Sequence, residues 1–201
     1  MGKRLRTGVG LTLALGLVAG TAQAAAPDVA ATSGGPVKAI ARGAMTTYFA
    51  IPYAAPPVGD LRWRAPQPPV KWTTPLARTK SGAACLQTGV ESFRAGGDSE
   101  DCLYLDVHRP TGDGPFPVMV WIHGGAFTSG SSAFYADPSP LVSQGVIVVA
   151  MNYRLGALAF WPIRPYGTPT AVPVITASWI SRPPCIGFKT TLPASAATPR
   201  M

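Results

Sequence analysis

Alternating apolar and polar residues mark the first predicted strands of the chain. Residues 37–42 alternate as a half-buried strand does, and residues 46–51 read as the strand that pairs with them. Residues 102–108 alternate again and predict a further strand.

Two continuous apolar runs predict a different kind of strand. Residues 117–122 and 146–151 contain no charged side chain. Such runs suit central strands buried on both faces, as in α/β sheets. Residues 138–145 lie between the two runs and would hold a short helix. The pattern therefore favours an α/β fold.

Proline interrupts the pattern over residues 52–72. Such a segment can be neither a long helix nor a central strand. We expect an ordered surface connection, which the aromatic side chains of Tyr53, Trp63 and Trp72 would hold against the core.

The net charge of +8 raises the question of a nucleic-acid partner, but its distribution argues against one. Ten basic and nine acidic residues lie within residues 25–160, so this part is nearly neutral. The basic excess belongs to the two ends, with no basic face or recognition motif. We expect no nucleic-acid binding.

The first 24 residues are typical of a signal peptide. Lys3, Arg4 and Arg6 precede an apolar run at 8–20, and small residues at 22 and 24 offer a cleavage site. The alternative is a membrane anchor, but the run is shorter than the roughly 20 residues of a spanning helix. We expect a cleaved leader, a small-residue linker at 25–35, and a secreted or periplasmic protein of a bacterium.

Export permits disulfides, and the chain has three cysteines. Cys85 and Cys102 bracket a short polar segment and would close a small loop, which the loop-closure model values at about 3 kcal/mol. Two buried free thiols are the alternative. Cys185 lies in the C-terminal tail.

The most informative stretch is His123-Gly124-Gly125, which directly follows a predicted buried strand. Glycines there let the backbone bend sharply and present N–H groups without obstruction. Acyl transfer places negative charge on a carbonyl oxygen, and such N–H groups stabilise it. An ordinary glycine turn is the plain alternative.

Four stretches in order along the chain add a resemblance to this pattern. They are FAIPYAAPPVGDLRW at 49–63, SEDCLYLDV at 99–107, VWIHGGAF at 120–127 and VVAMNYRLGAL at 148–158. Together they resemble the signatures of type-B carboxylesterases, a family related to cholinesterases and bacterial para-nitrobenzyl esterases. The resemblance implies an α/β-hydrolase fold, here only its N-terminal portion at 36–160 with an incomplete mixed sheet.

The resemblance also implies roles for residues of the glycine turn. Gly125 and Ala126 match the positions whose N–H groups help to form the oxyanion hole, and Gly124 matches a residue that supports the turn. Two departures are Ala50 and Ala159, where the family usually has glycine.

Two pairs outside the turn match structural features of the family. Cys85 and Cys102 match its first disulfide. Arg62 and Glu100 match an ion pair, and would be solvated surface charges if they do not meet in space.

The catalytic triad of such enzymes is missing from the chain. Their serine nucleophile lies in a G-x-S-x-G turn. Ser132 comes closest, but Phe134 stands where the second glycine belongs. Neither His108 nor His123 matches the catalytic histidine, and no ligand set suggests a metal or other cofactor. We therefore expect this chain to be inactive by itself.

The tail at 161–201 changes composition abruptly, with no acidic residue and eight prolines. We expect it to be disordered and out of frame. If the codons of the tail are read one base earlier, they can be chosen to encode a sequence like the one that the family carries after residues 153–158. The hypothesis is a one-base deletion near Phe160, in the gene or in its sequencing, which the nucleotide sequence tests.

The resulting prediction is a carboxylic ester hydrolase fragment whose intact relatives form a serine acyl-enzyme on a small ester. Apolar strands would be left exposed. The alternatives are a non-catalytic, cholinesterase-like binding or adhesion protein and a product of gene decay. The sequence names neither the ester nor the oligomeric state.

Overall fold

A computed structural model of the chain describes residues 28–88, 97–135 and 137–160, and the backbone of short strands at 162–163 and 172–173. The predicted signal peptide lies outside these residues, and so does the tail at 161–201, predicted to be disordered, apart from those two short strands. No helix in the described part has both the length and the apolar composition that a membrane span requires.

Eleven strands and two short α-helices make up the described fold. The strands are β1 (Val29–Ala31), β2 (Pro36–Lys38), β3 (Ile40–Arg42), β4 (Met45–Pro52), β5 (Ala84–Cys85), β6 (Asp98–Ser99), β7 (Tyr104–Pro110), β8 (Val118–Ile122), β9 (Ile147–Met151), β10 (Pro162–Ile163) and β11 (Val172–Pro173). The helices are α1 (Ser139–Val142) and α2 (Gly156–Phe160), and single 3₁₀ turns lie at Gly59–Leu61 and Ser132–Phe134.

A five-stranded mixed sheet in the order β3-β4-β7-β9-β8 forms the centre of the molecule. Only β8 and β9 run parallel, and the other neighbours are antiparallel. The connection from β8 to β9 contains the glycine turn and α1, as a parallel pair requires a long crossover. The mixed sheet agrees with the predicted fold class.

The apolar run at 146–151 is a central strand, as the sequence predicts. All five residues of β9 are buried, between β7 on one side and β8 on the other. Its side chains enter two clusters of the core, on opposite faces of the sheet. Burial on both faces explains why this strand has no alternating polar positions.

The apolar run at 117–122 differs from the prediction. β8 is the edge of the sheet, and Val120 and Ile122 are 48% and 50% exposed. Met119 and Trp121 pack on the opposite face, against the cluster under α1 and against Tyr135. The prediction that this strand is buried on both faces is wrong, because no described element covers the face that carries Val120 and Ile122.

The N-terminal stretch also differs from the sequence interpretation. The alternating run at 37–42 is divided between β2, which pairs with β1, and β3, which joins the large sheet. β1 lies within 25–35, the predicted linker. Gly34 and Gly35 lie so close to Trp72 that a β-carbon on either would overlap its side chain. The small residues of this stretch therefore allow close packing.

The proline-rich segment is an ordered connection, and its three aromatic residues hold it in place. The Tyr53 hydroxyl donates to the carbonyl of Asn152 at 2.7 Å. The indole N–H groups of Trp63 and Trp72 donate to the carbonyls of Ala157 and Pro36. Each aromatic residue thus ties the segment to another part of the fold.

A β-bulge interrupts the pairing of β4 with β7 between Tyr48 and Ile51. Ala50 lies in the bulge with a φ of +48°, and its N–H donates to Oδ1 of Asp106 at 2.8 Å. The Ser81 hydroxyl donates to Oδ2 of the same carboxyl. Burial raises the pKa of Asp106 above its usual value, and these two donors partly oppose the rise.

Candidate functional site

The glycine turn, residues 123–130, follows β8 directly. Residues 124–128 are exposed, whereas His123 and Gly130 at its two ends are buried. Gly125, Ala126 and Phe127 have φ values of +116°, +50° and +63°. Three consecutive residues of positive φ make the chain turn sharply. Ala126 and Phe127 adopt this conformation although they are not glycine.

The carbonyl groups of the turn are held on its inner side. Nδ1 of His123 donates to the carbonyl of Gly124 at 2.8 Å. The carbonyl of Gly125 accepts the N–H groups of Thr128 and Ser129 at 3.0 and 3.1 Å, and both hydroxyls as well. Each of these carbonyls belongs to the same planar peptide as the next N–H group.

The N–H groups of Gly125 and Ala126 consequently point away from the turn. In a trans peptide the N–H and C=O bonds point in opposite directions. Fixing the carbonyls of Gly124 and Gly125 therefore fixes the two following N–H groups. No described residue accepts a hydrogen bond from either. Two neighbouring donors on an exposed turn can bind an oxygen atom that carries negative charge.

The two central glycines differ in how much room they have. A β-carbon on Gly125 would overlap the carbonyl group of Ser129. A β-carbon on Gly124 would have no atom within 4 Å. Only Gly125 is therefore required to be glycine by its surroundings as well as by its backbone angle.

His123 has a structural part in the turn. Its ring stacks on that of Tyr153 with centroids 4.3 Å apart, and the Tyr153 hydroxyl donates to its carbonyl at 2.8 Å. Burial lowers the pKa of His123, and the hydrogen bond to Gly124 opposes part of that shift. The neutral ring carries its proton on Nδ1, and Nε2 is buried with no partner among the described residues.

The segment after β9 supports the turn from one side. Besides the contacts of Tyr153, the N–H of Gly156 donates to the carbonyl of Phe127 at 2.7 Å. Asn152 is fully buried. Its side chain accepts from the N–H of Ser132 and donates to the carbonyls of Ala83 and Cys102. This one amide joins three segments that are distant in sequence.

A disulfide joins Cys85 and Cys102, two residues that the sequence singles out. It closes the segment that precedes β7, and both cysteines are buried in a small apolar cluster with Leu103 and Tyr153. Through Tyr153 this cluster borders the glycine turn.

Arg62 and Glu100 meet as a two-point ion pair, with nitrogen–oxygen distances of 2.8 and 2.7 Å. The carboxylate raises the pKa of the Arg62 guanidinium. The pair joins the proline-rich connection to the segment beside Cys102 and does not contact the glycine turn. Its place is structural.

Two residues that contact the turn, Gln87 and Tyr153, and one residue of the turn itself, Gly130, have no role in the sequence-based interpretation. Tyr153 lies in the stretch 148–158, so the resemblance of this stretch to the family was the one signal that pointed to it. Gln87 lies 43 residues from Gly130, and no local pattern joins them. Among the described residues no group of three suitable side chains could hold a metal ion.

Comparison with known proteins identifies relatives of this chain. A family model described as the carboxylesterase family matches residues 27–167. Fumonisin B1 esterase of Sphingopyxis macrogoltabida is 46% identical over 134 residues, which are 64% of this chain and 25% of that protein. Para-nitrobenzyl esterase of Bacillus subtilis (strain 168) is 44% identical over 141 residues, 66% of this chain and 29% of that protein.

A solved structure of a thermophilic PNB esterase superimposes with a TM-score of 0.67 at 34% identity. The match covers 80% of this chain and 36% of that one. The chain thus spans between a quarter and a third of the length of the two curated relatives. Its mixed sheet is the N-terminal portion of an α/β-hydrolase fold, and the chain belongs to the carboxylesterase family.

Proposed function

We propose that the chain is the N-terminal part of a serine-dependent carboxylic ester hydrolase, and that its glycine turn supplies oxyanion donors. The observation that carries this proposal is the orientation of the N–H groups of Gly125 and Ala126. Each is exposed and aimed outward by a carbonyl bound on the inner side. Gly124 contributes the carbonyl that sets the direction of the first donor.

The turn would act when a nucleophile attacks the ester carbonyl. The carbonyl oxygen then gains negative charge, and the two N–H groups stabilise that charge more strongly than they bind the neutral ester. Removing one such donor typically raises the barrier by about 2.7–4 kcal/mol. Collapse of the intermediate formed by this attack breaks the ester C–O bond and releases the alcohol, and water then hydrolyses the acyl-enzyme to the carboxylic acid.

The 201 residues by themselves do not contain the rest of the mechanism. Ser131 and Ser132 follow the turn, but both are buried, and the Ser131 hydroxyl accepts the N–H of Ala133. Burial lowers the pKa of His108 to about 4, and its Nδ1 lies 3.1 Å from the Thr47 hydroxyl. Within the described residues neither histidine bonds to a serine, and we propose that this chain alone hydrolyses no ester.

We propose that a reading-frame change near Phe160 accounts for the missing groups. The experiment is to read the nucleotide sequence, restore the frame, and assay both proteins with a short-chain p-nitrophenyl ester. We expect an encoded G-x-S-x-G turn, turnover by the restored protein, and only background rates for the 201-residue chain. Turnover by the short chain would overturn its proposed inactivity.

The same assay separates the enzyme from a binding protein. A restored sequence without a serine in the turn, and without turnover, would favour a non-catalytic binding role. An inactive protein that does carry the serine would contradict the function proposed for Gly125 and Ala126. The matched control is the restored protein with that serine replaced by alanine.

We also propose that the chain is exported and loses residues 1–24. The disulfide supports this, because such bonds persist in oxidising compartments. Mass spectrometry of protein from a culture supernatant or periplasmic extract gives the test. A mature N-terminus at Ala25 agrees with export, and an uncleaved protein in the cytoplasm contradicts it.

A further inference from the structure

The side-chain amide of Gln87 binds the far end of the glycine turn. Its Oε1 accepts the N–H of Gly130 at 2.8 Å, and its Nε2 donates to the carbonyl of Gly130 at 3.0 Å. Nε2 also donates to the carbonyl of Cys85 at 3.0 Å. Gln87 therefore holds both polar groups of a buried glycine backbone and fixes its position in two directions.

Gly130 in turn packs against the peptide that carries the first proposed donor. A β-carbon on Gly130 would overlap the carbonyl oxygen of Gly124 and Nδ1 of His123. The backbone of Gly130 thus lies directly against the hydrogen bond between these two groups. A shift of Gly130 toward this hydrogen bond would displace the carbonyl of Gly124, and with it the direction of the Gly125 N–H.

Gln87 projects from a rigid base. Cys85, two residues earlier, is bonded to Cys102, and the carbonyl of Cys102 accepts the amide of Asn152. The N–H of Leu86 donates to the carbonyl of Ser99 at 3.2 Å. Because the chain on both sides of the disulfide is held, Gln87 can transmit that rigidity to the turn.

We infer that Gln87 is a positioning residue for the oxyanion donors, acting through Gly130 on the peptide between Gly124 and Gly125. The inference rests on the proposed function of the turn. It assigns to the disulfide-closed segment a part in holding the donors, in addition to its part in holding the fold.

The test uses the full chain, labelled with ¹⁵N, and the variants Q87L and Q87E. Q87L removes every hydrogen bond of the amide at similar volume. Q87E keeps an acceptor for the N–H of Gly130 and loses both donors at near neutral pH. Q67L is the matched control, because the exposed amide of Gln67 binds only the nearby carbonyl of Ala65.

Amide hydrogen exchange and amide chemical shifts give the readout. In Q87L the Gly130 amide will exchange about tenfold faster or more. The amides of Thr128 and Ser129 will also lose protection, and the signals of Gly125 and Ala126 will shift. Q87E will keep part of the Gly130 protection, while amides of β9 and the whole of Q67L will match the parent protein.

Changes confined to Gly130 and residues 85–88, with Gly125 and Ala126 unmoved, would overturn the inference. So would equal effects in Q87L and Q67L. If Q87L fails to fold, Q87E decides by the same signals. Neither result depends on ester turnover, so failure here is distinct from an inactive frame-restored enzyme.

Discussion

Ala50 occupies a backbone conformation that ordinarily favours glycine. Its φ of +48° places it in the left-handed region, inside the bulge of β4. For a residue with a β-carbon this region costs about 1–2 kcal/mol. The carboxyl of Asp106 stabilises the bulge, because it accepts a hydrogen bond from the Ala50 N–H.

Replacing Ala50 with glycine should therefore stabilise the chain. We expect A50G to raise the free energy of unfolding by up to about 1 kcal/mol, since relief of strain exceeds the entropic cost of glycine. Urea denaturation measures it. A41G, at an exposed position of β3 outside the positive-φ residues, should lower stability by about 0.5–1 kcal/mol. Equal losses in both variants would contradict the strain at Ala50.

His108 should make stability depend on pH. Burial, with the charge of Arg42, lowers its pKa from 6.5 to about 4. At pH values between these two pKa values, the unfolded chain therefore binds a proton at His108 that the folded chain does not bind. Neutral His108 contributes up to about 3 kcal/mol to the free energy of unfolding. This contribution is full above pH 6.5 and is lost as pH falls toward 4.

H108Q isolates this effect, because glutamine can still accept from the hydroxyl of Thr47. The raised pKa of Asp106 acts in the opposite direction, and the lowered pKa of His123 in the same one. Both remain in the variant and cancel in the comparison. As pH falls from 7 to 4, the unfolding free energy should decrease more steeply for the parent than for H108Q; parallel curves would show that His108 contributes nothing.

Among the elements, the glycine turn offers a matched pair of positions. G125A should destabilise the chain by more than about 1 kcal/mol, because it combines positive φ with overlap at Ser129. G124A enters open space and should change stability by less than about 0.5 kcal/mol. Thermal and urea unfolding compare them. A larger loss in G124A would show that the turn is not built as described.

The edge strand β8 should make the molecule self-associate. In the described part of the chain no element covers Val120 and Ile122 on one face of this strand. The strand has no charge, proline or bulge to block pairing with a second edge. We expect concentration-dependent association in sedimentation velocity. V120K should weaken it, whereas V29K, at a valine of similar exposure on β1, should leave it unchanged. A monomeric parent protein would contradict this expectation.

At the scale of the whole molecule, the sequence predicted the structural features that depend on residues close together along the chain. Alternation located β4 and β7, and the apolar run at 146–151 located β9 in the core. Burial of β8 could not be read from its residues, because it depends on whether another element covers the sheet. Gln87 and Asn152 were missed for a similar reason, since Gly130, the partner of Gln87 on the turn, lies 43 residues away and the partners of Asn152 lie 20 to 69 residues away.

Asn152 sets an order of events during synthesis. Its amide binds Ala83, Cys102 and Ser132, which lie 69, 50 and 20 residues before it. A chain that emerges from its N-terminus presents all three partners before the residue that joins them. The three contacts of the Asn152 amide can therefore form only after β9 has been made and has entered the sheet. Completion of the site would then be a late step of folding.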